Sequence, residues 1–348
     1  MKTELFNYDA PEELIAQHPR PRGESRLMVV NRNSGTFEHR SFSDITDYLS
    51  HNDVLVVNNT RVSARRIAAL RPNGLPAEVL LIAPQSDTSW YALVKPGRSF
   101  RSGSEITLIG PEDLRTSVMV AATTPDGGRI LEFKNPLISQ QVATWGNTPL
   151  PPYIAPQLSK EEEERYQTVY SNLPGSAAAP TAGLHFTPEI MRRVSENGTR
   201  LAEVTLHVGV GTFRPVRTEN IEEHEMHREV VSVPRETADA INACTGKIVA
   251  VGTTTVRALE SSRRSEINPQ AVASNRASMF AGSTNLFLRP GSEVKAMDAL
   301  VTNFHQPRST LLMMISAFAS RELILAAYAE AIKERYLLFS FGDAMLIL

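Results

Sequence analysis

The sequence predicts an α/β domain with a largely parallel sheet into which a small β-barrel is inserted. Three observations point there. In the second half, short apolar runs of strand type alternate with segments of helical period, the pattern of a parallel sheet with crossover helices. Between about residues 68 and 135, short apolar stretches follow one another with turn residues and no helical period between them, as in a meander or small barrel. The chain has 348 residues, 42% hydrophobic and 21% charged, which suits roughly two globular domains.

The elements can be justified in order. DVLVVNNTR (Asp53–Arg61) is an apolar run of strand type that ends in turn residues. After Arg71-Pro72-Asn73-Gly74 come AEVLLIA, WYALVKPG, EITLIG, SVMVAATT and RILEFK, the strands of the expected barrel. Domain limits are therefore expected at 1–67 and 150–348 for the α/β part and 68–149 for the insertion. Four prolines from Pro149 to Pro156 make a stiff connector. EEEERYQTVY reads as a helix whose acidic start, Glu161–Glu164, favours the positive end of the helix dipole. TPEIMRRVSENG is a helix with Thr187 as N-cap, Pro188 at the first position and Gly198 as its stop. LAEVTLHVGVGTF is a strand running into glycines, and PRETADAINACTG a helix. KIVAVGTTTVRALESS is strand, turn, helix. DALVTNFHQPRSTLLMMISAFAS repeats that unit with Ser309 or Thr310 as cap. ILAAYAEAIKERY is a helix and FGDAMLIL a final strand.

Composition excludes some functions. Lys+Arg is 36 and Asp+Glu is 38, so the net charge of −2 rules out a purely electrostatic nucleic-acid binder. Arginines are concentrated between Arg20 and Arg71, so a local basic patch remains open. One cysteine, Cys244, cannot form an internal disulfide and suggests a reducing compartment. MKTELFNYDAPEE has no signal-peptide core, and the longest apolar run, Leu311–Ala319, falls well short of the ~20 residues that span a bilayer. A soluble, cytoplasmic monomer with no membrane partner is expected.

In open α/β sheets, ligands bind at the carboxyl ends of the strands. The segments that follow the strands here are Asn58-Asn59-Thr60-Arg61, His207-Val208-Gly209-Val210-Gly211-Thr212, Gly252-Thr253-Thr254-Thr255-Val256-Arg257 and Thr302-Asn303-Phe304-His305. GTTTVR opens a helix and can hold an anion on free N–H groups, or simply cap the helix. HVGVG contains GxG without the third glycine of a dinucleotide fingerprint. His207, His224 and His227 suggest proton transfer or substrate contact, a metal site, or plain structure; a helix over HEMH would put His224 and His227 on one face. APTAGLHFT (Ala179–Thr187) has almost no bulk before Leu184, which suits backbone approaching something closely. Met313, Met314 and Phe318 read as core.

The motifs then resemble those of one family. YQTVYSNLPGSAAAPTAGLHF, VTLHVGVGTFRPV followed by EEHEMH, VAVGTTTVRALES, DALVTNFHQPRSTLLMMISAFA and FSFGDAM are similar to strings of the S-adenosylmethionine:tRNA ribosyltransferase-isomerase family of queuosine biosynthesis. So are LIAQHP, SRLMV, DVLVVNNTRV and PLPPYI, over essentially the whole chain. The resemblance implies an enzyme that uses S-adenosylmethionine as ribosyl donor and co-substrate, with no tightly bound cofactor and no metal. The acceptor is the aminomethyl group of a 7-deazaguanine base at the wobble position of tRNA. The products are epoxyqueuosine-tRNA, adenine and methionine. The implied fold is an α/β domain carrying an inserted β-barrel.

Roles follow as expectations. His207, His224 or His227 would remove a ribose C5′ proton next to the sulfonium, with His185 and His305 as neighbours. Asp343 would protonate departing adenine. Arg257 with Thr253 and Thr254 would hold a carboxylate or phosphate, and Arg61 and Arg65 would face tRNA. Thr181, Gly183, His185, Gly209, Gly211, Thr212, Asn303 and His305 would contact substrate, and Phe186 and Phe304 would stack on a base. Two departures stand out: Leu337-Leu338 where the family has an Arg soon after the Tyr, and Ser320 where Gly is usual.

Overall fold

The computed structural model describes residues 1–125, 127–154, 158–209, 211, 215–264 and 276–348. The strands in chain order are β1 (Arg26–Val30), β2 (Phe37–Ser41), β3 (Val54–Asn58), β4 (Thr60–Val62), β5 (Arg65–Leu70), β6 (Pro76–Pro84), β7 (Ser89–Lys95), β8 (Glu105–Ile109), β9 (Arg115–Thr123) and β10 (Arg129–Glu132). They continue as β11 (Leu173–Ser176), β12 (Arg200–Leu206), β13 (Glu229–Val233), β14 (Ile248–Val251), β15 (Phe280–Thr284), β16 (Ala299–Asn303) and β17 (Ala344–Ile347). The helices are α1 (Pro136–Val142), α2 (Lys160–Arg165), α3 (Pro188–Glu196), α4 (Arg235–Asn242), α5 (Thr253–Arg264), α6 (Thr310–Ala319) and α7 (Arg321–Lys333).

Nine strands form one sheet in the order β15-β13-β12-β3-β14-β16-β17-β1-β2. The central four, β12, β3, β14 and β16, run parallel. β3 and β14, at the middle of the sheet, are almost wholly apolar, as strands covered on both sides are; Val54–Asn58 and Ile248–Val251 are buried throughout. The flanks are antiparallel except where β17 meets β1, so the sheet is mixed and its parallel part is the centre. The other architecture is a closed antiparallel barrel of six strands, β10-β7-β6-β5-β8-β9. Closure removes the exposed edges that six short strands would otherwise present. Ile67, Val79, Leu81, Ile106, Val118 and Leu131 alternate inward and fill it.

By contact, the chain divides into two units, Met1–Thr60 with Pro151–Leu173 and Ala179–Leu348, and Arg61–Leu150 with Pro174–Ala178. The expected limit at residue 68 falls inside β5, the first barrel strand. Arg66 already pairs with Asn147 by two backbone hydrogen bonds of 2.8 and 3.1 Å, which draws the limit back to Arg61.

Local rules place the helices. The Thr187 Oγ1 accepts the Ile190 N–H at 3.0 Å with Pro188 at the first position of α3. Ser309, not Thr310, caps α6 by accepting the Leu312 N–H at 3.2 Å. α6 buries Leu312, Met313, Met314, Ile315 and Phe318, each contributing about 1.5–3 kcal/mol at most. The acidic run forms the short α2, which a Ser159–Glu162 capping box starts and which ends at Arg165, so the expected helix does not extend to Tyr170. Among the described residues, no single helix is long and apolar enough to cross a membrane.

Ser320 joins α6 to α7 at φ 64° and ψ 147°, a backbone region essentially reserved for glycine. Its hydroxyl accepts the Leu323 N–H at 3.3 Å, a weak cap. Glycine relieves about 1–3 kcal/mol of strain and costs only a few tenths for the lost cap. Ser320→Gly is therefore expected to raise the thermal midpoint by about 2–4 °C, read by calorimetry; an unchanged or lower midpoint would show that the cap outweighs the strain.

Candidate active site

The carboxyl ends of the four parallel strands meet in a polar knot. Asn58, the last residue of β3, donates its Nδ2 to the Leu206 carbonyl at 3.0 Å and to Thr254 Oγ1 at 3.1 Å. Its Oδ1 accepts the Leu206 and Thr60 N–H groups at 3.0 and 3.2 Å. One buried amide thereby ties β3, β12 and the start of α5, with every polar atom satisfied as burial demands. Gly252 makes the turn from β14 into α5 at φ +86°, a conformation that side chains disfavour.

Above this knot lies an open cavity of about 380 Å3 lined by Thr181, Gly252, Thr253, Thr254, Asn303 and His305. A second, of about 370 Å3, shares Thr181, Asn303 and His305 and adds Tyr153, Gln306 and Ser340. A third, of about 480 Å3, is walled by Met226, Leu286, Phe287 and Met314 and holds His224, His227, Glu229 and Arg257. Leu311, in the first turn of α6, borders all three. Each is mostly apolar with a few converging polar groups, the lining that small-molecule sites have.

Two buried polar atoms in this trough have no partner. Asn303 is 2% exposed; its Nδ2 donates to the Phe339 carbonyl and to His185 Nε2, both at 3.1 Å, and its Oδ1 is left bare. Arg257 is 4% exposed; it pairs with Glu229 through Nη1 and donates Nε to the Leu286 carbonyl at 3.1 Å, and its Nη2 is bare. Burial lowers the Arg257 guanidinium to about 10, so it is still charged at neutral pH. Glu229 also accepts the Gly209 N–H at 2.8 Å, which anchors HVGVG. An unmet buried acceptor or donor costs about 1–3 kcal/mol, so these atoms suit a ligand that brings a donor to one end and an anion to the other.

The histidines divide by environment. His185 is 4% exposed with Nδ1 2.8 Å from Ser25 Oγ. Since Asn303 Nδ2 donates to its Nε2, the ring proton is on Nδ1. Burial, then Arg20, lowers its pKa to about 4. His305, with Nε2 2.8 Å from Thr302 Oγ1, falls to about 3 through burial. Both are neutral struts, and His185 stands behind Asn303 rather than at the pocket edge. His207 keeps its Nδ1 2.7 Å from Thr60 Oγ1, and burial lowers its pKa. His224 lies edge-on to Phe287 at 5.5 Å between centroids and is lowered by partial burial and then by neighbouring His227. His207 and His224 are therefore unprotonated at neutral pH and able to accept a proton. HEMH is extended, not helical, because the chain is already entering β13; His224 and His227 still share one cavity. Among the described residues, no three His, Cys, Asp or Glu side chains are grouped to hold a metal, so the three histidines form no metal centre here.

Other expectations need correction. Phe186 and Phe304 are fully buried. Phe186 packs edge-on to Phe42, and Phe304 to Tyr328 and Tyr336, which occupies the rings in the core. Gly183 is glycine because a Cβ there would sit 2.1 Å from the Tyr170 hydroxyl, so the small residues of APTAGLHF make room for an aromatic of the protein itself. Asp343 is 0% exposed and serves as an acceptor: Oδ1 takes the Arg26 N–H at 2.8 Å and Arg20 at 3.1 Å, Oδ2 the Leu337 N–H at 2.8 Å. It clasps the C-terminal strand through three accepted hydrogen bonds. Leu338 is fully buried, where an arginine would not fit without a partner. Arg61 and Arg65 belong to the barrel unit, with Arg65 donating to Thr148 at 2.8 Å. Gly211 lines the His224 cavity; Thr212 lies outside the described residues. Sequence reasoning missed Glu229, which carries no motif; it named Asn58 among the residues that follow the strands but gave it no role.

A mixed α/β sheet with a polar-floored trough at its carboxyl edge, joined to a closed β-barrel, defines a ligand-binding enzyme scaffold. The comparisons place it. A family model described as "Queuosine biosynthesis protein" matches residues 3–347. An S-adenosylmethionine:tRNA ribosyltransferase-isomerase of Thermotoga maritima is 47% identical over all of both chains. The namesake of Natranaerobius thermophilus is 47% identical over all of this chain and 99% of its own. A crystal structure of the S-adenosylmethionine tRNA ribosyltransferase from Thermotoga maritima superposes with a TM-score of 0.55 at 39% identity, covering 99% of this chain and 100% of that one. The chain belongs to the S-adenosylmethionine:tRNA ribosyltransferase-isomerase family of queuosine biosynthesis and is an enzyme, a transferase-isomerase.

Proposed function

We propose that this enzyme transfers and isomerises the ribosyl group of S-adenosylmethionine onto the aminomethyl-deazaguanine wobble base of tRNA, yielding epoxyqueuosine-tRNA, adenine and methionine. The observation that supports this most is a pair of unmet buried atoms, Asn303 Oδ1 and Arg257 Nη2, on residues of neighbouring cavities that share Leu311. S-adenosylmethionine has a carboxylate for the guanidinium, N–H and O–H donors for the amide oxygen, and methyl and methylene groups around its sulfonium for Met226, Leu286 and Met314 to pack against. It acts as a co-substrate, with no tightly bound cofactor, and the enzyme works as a monomer.

His224 beside Arg257 is our choice for the base. A sulfonium acidifies the adjacent C5′–H, and an unprotonated imidazole walled by apolar residues is suited to take that proton. His207 is the second choice, oriented by Thr60. Thr253 and Thr254 at the start of α5 contact the adenosine end, and Arg61 and Arg65 face the RNA.

The test is chromatography of the products. Incubation with S-adenosylmethionine and tRNA bearing the aminomethyl-deazaguanine should release adenine and methionine in equal amounts, and only when that tRNA is present. Binding of the tRNA with no adenine released would end the reading.

A further inference from the structure

A second pocket, separate in its lining from the trough except for Ser340, is built of arginines. It has a volume of about 350 Å3 and is lined by Arg20, Arg22, Arg165, Ser25, His185 and Gly342 among others. Arg22 reaches over the C-terminal end of α2: its Nη2 donates to the Gln167 carbonyl at 2.5 Å and lies 3.4 Å from that of Arg165. That contact alone is a helix cap of an ordinary kind. Its Nη1, however, is buried without a hydrogen-bond partner. Arg165 lines the same pocket, so the two arginines share one small space, and burial, then the charge of Arg165, lowers the Arg22 pKa.

Three of the nearby acids are held elsewhere or only loosely. Asp343 is fully engaged by Arg20 and two backbone N–H groups. Glu161 reaches Arg165 only at 3.6 Å, with its own side chain 83% exposed. Glu162 is drawn to His18 at 2.9 Å and to the Ser159 N–H. Two neighbouring cations, one with a buried unpaired donor, are costly to hold together. An oxyanion between them would relieve the repulsion and accept the bare Nη1–H through a charge-assisted hydrogen bond.

We propose that the Arg22–Arg165 pocket binds a backbone phosphodiester of the tRNA substrate and so positions the RNA apart from the S-adenosylmethionine trough. The inference rests on the function proposed above only for the identity of the RNA. Phosphate contacts fix register without reading sequence, so this pocket supplies affinity and placement and leaves base choice to the trough.

The experiment measures tRNA binding by filter retention across a salt series, with S-adenosylmethionine binding followed separately by calorimetry. Arg165→Gln should weaken tRNA binding about three- to tenfold and reduce the slope of log K against log salt by about 1, leaving S-adenosylmethionine affinity unchanged. Because Arg22 also caps α2, Arg22→Lys, which keeps the charge and loses the fork, is the second variant; it should weaken tRNA binding with no loss of thermal midpoint. Unchanged tRNA affinity and slope in both variants would overturn the proposal. So would a fall in S-adenosylmethionine affinity with tRNA binding intact, which would assign the pocket to the carboxylate of that molecule. Wild-type protein that binds tRNA with a salt slope yet releases no adenine would instead count against the proposed reaction and leave this pocket standing.

Discussion

Arg257→Met is expected to lower S-adenosylmethionine affinity by two orders of magnitude or so and to reduce the thermal midpoint by about 5–10 °C. The affinity term comes from a desolvated guanidinium that lines the cavity and keeps one Nη2 without a partner; removing one partner of a charge-assisted contact costs about 2–5 kcal/mol. The stability term comes from Glu229, which is 5% exposed and would be left buried without its cation. Breaking a buried pair from one side costs about 3–5 kcal/mol, whereas replacing both members is often neutral. The two effects can therefore be separated. The double variant Arg257→Met with Glu229→Gln should regain most of the midpoint and none of the affinity. Arg257→Lys should retain part of the affinity, since it keeps the charge without the fork. Near-normal adenine release by the double variant would remove Arg257 from the site.

Asp343→Asn is expected to act on stability far more than on chemistry. The asparagine oxygen can still accept from Arg26 and Arg20, but its amide nitrogen would confront the Leu337 N–H, donor against donor. That leaves one buried group unmet, at about 1–3 kcal/mol. Asp343→Ala, which strands all three donors, should cost more. If the carboxyl also protonated departing adenine, Asp343→Asn would in addition cut turnover by about 10²–10⁴. Midpoint by calorimetry and adenine release at a temperature well below it, measured on the same preparation, decide between the two.

Much of the fold was legible in the residues. β3, β12, β14 and β16 are short apolar runs ended by polar or glycine turns, and each is a central strand. The barrel strands were visible because no helical period interrupts them. The flanking strands were not. β2 is FEHRS, exposed over most of its length, and β15 is FAGST; neither has the apolar pattern that marks a strand. They are strands because β1 and β13 offer them an edge to pair with. The α/β boundary was misplaced for a related reason: Arg66 and Asn147 are far apart in the chain, and only their pairing shows that β5 already belongs to the barrel.

The site divides along the same line. By itself the sequence determined that polar residues would cluster at the carboxyl ends of parallel strands, since strand period and turn chemistry are local properties. It also determined the candidate set: Thr253, Thr254, Arg257, Asn303, His207 and His224 all stand in segments that follow strands or line the trough. Only the tertiary structure decided which of them have free atoms. His185 and His305 look as reactive on paper as His224, but burial and two fixed hydrogen-bond partners make His185 a strut. Phe186 and Phe304 look like stacking platforms, but the core takes their faces. Glu229, 28 residues from Arg257, and Asp343, 317 and 323 residues from Arg26 and Arg20, became a counter-ion and a clasp. The reason is physical: the role of a polar side chain depends on how much water it keeps and which of its atoms are already paired, and both are set by segments distant in the chain.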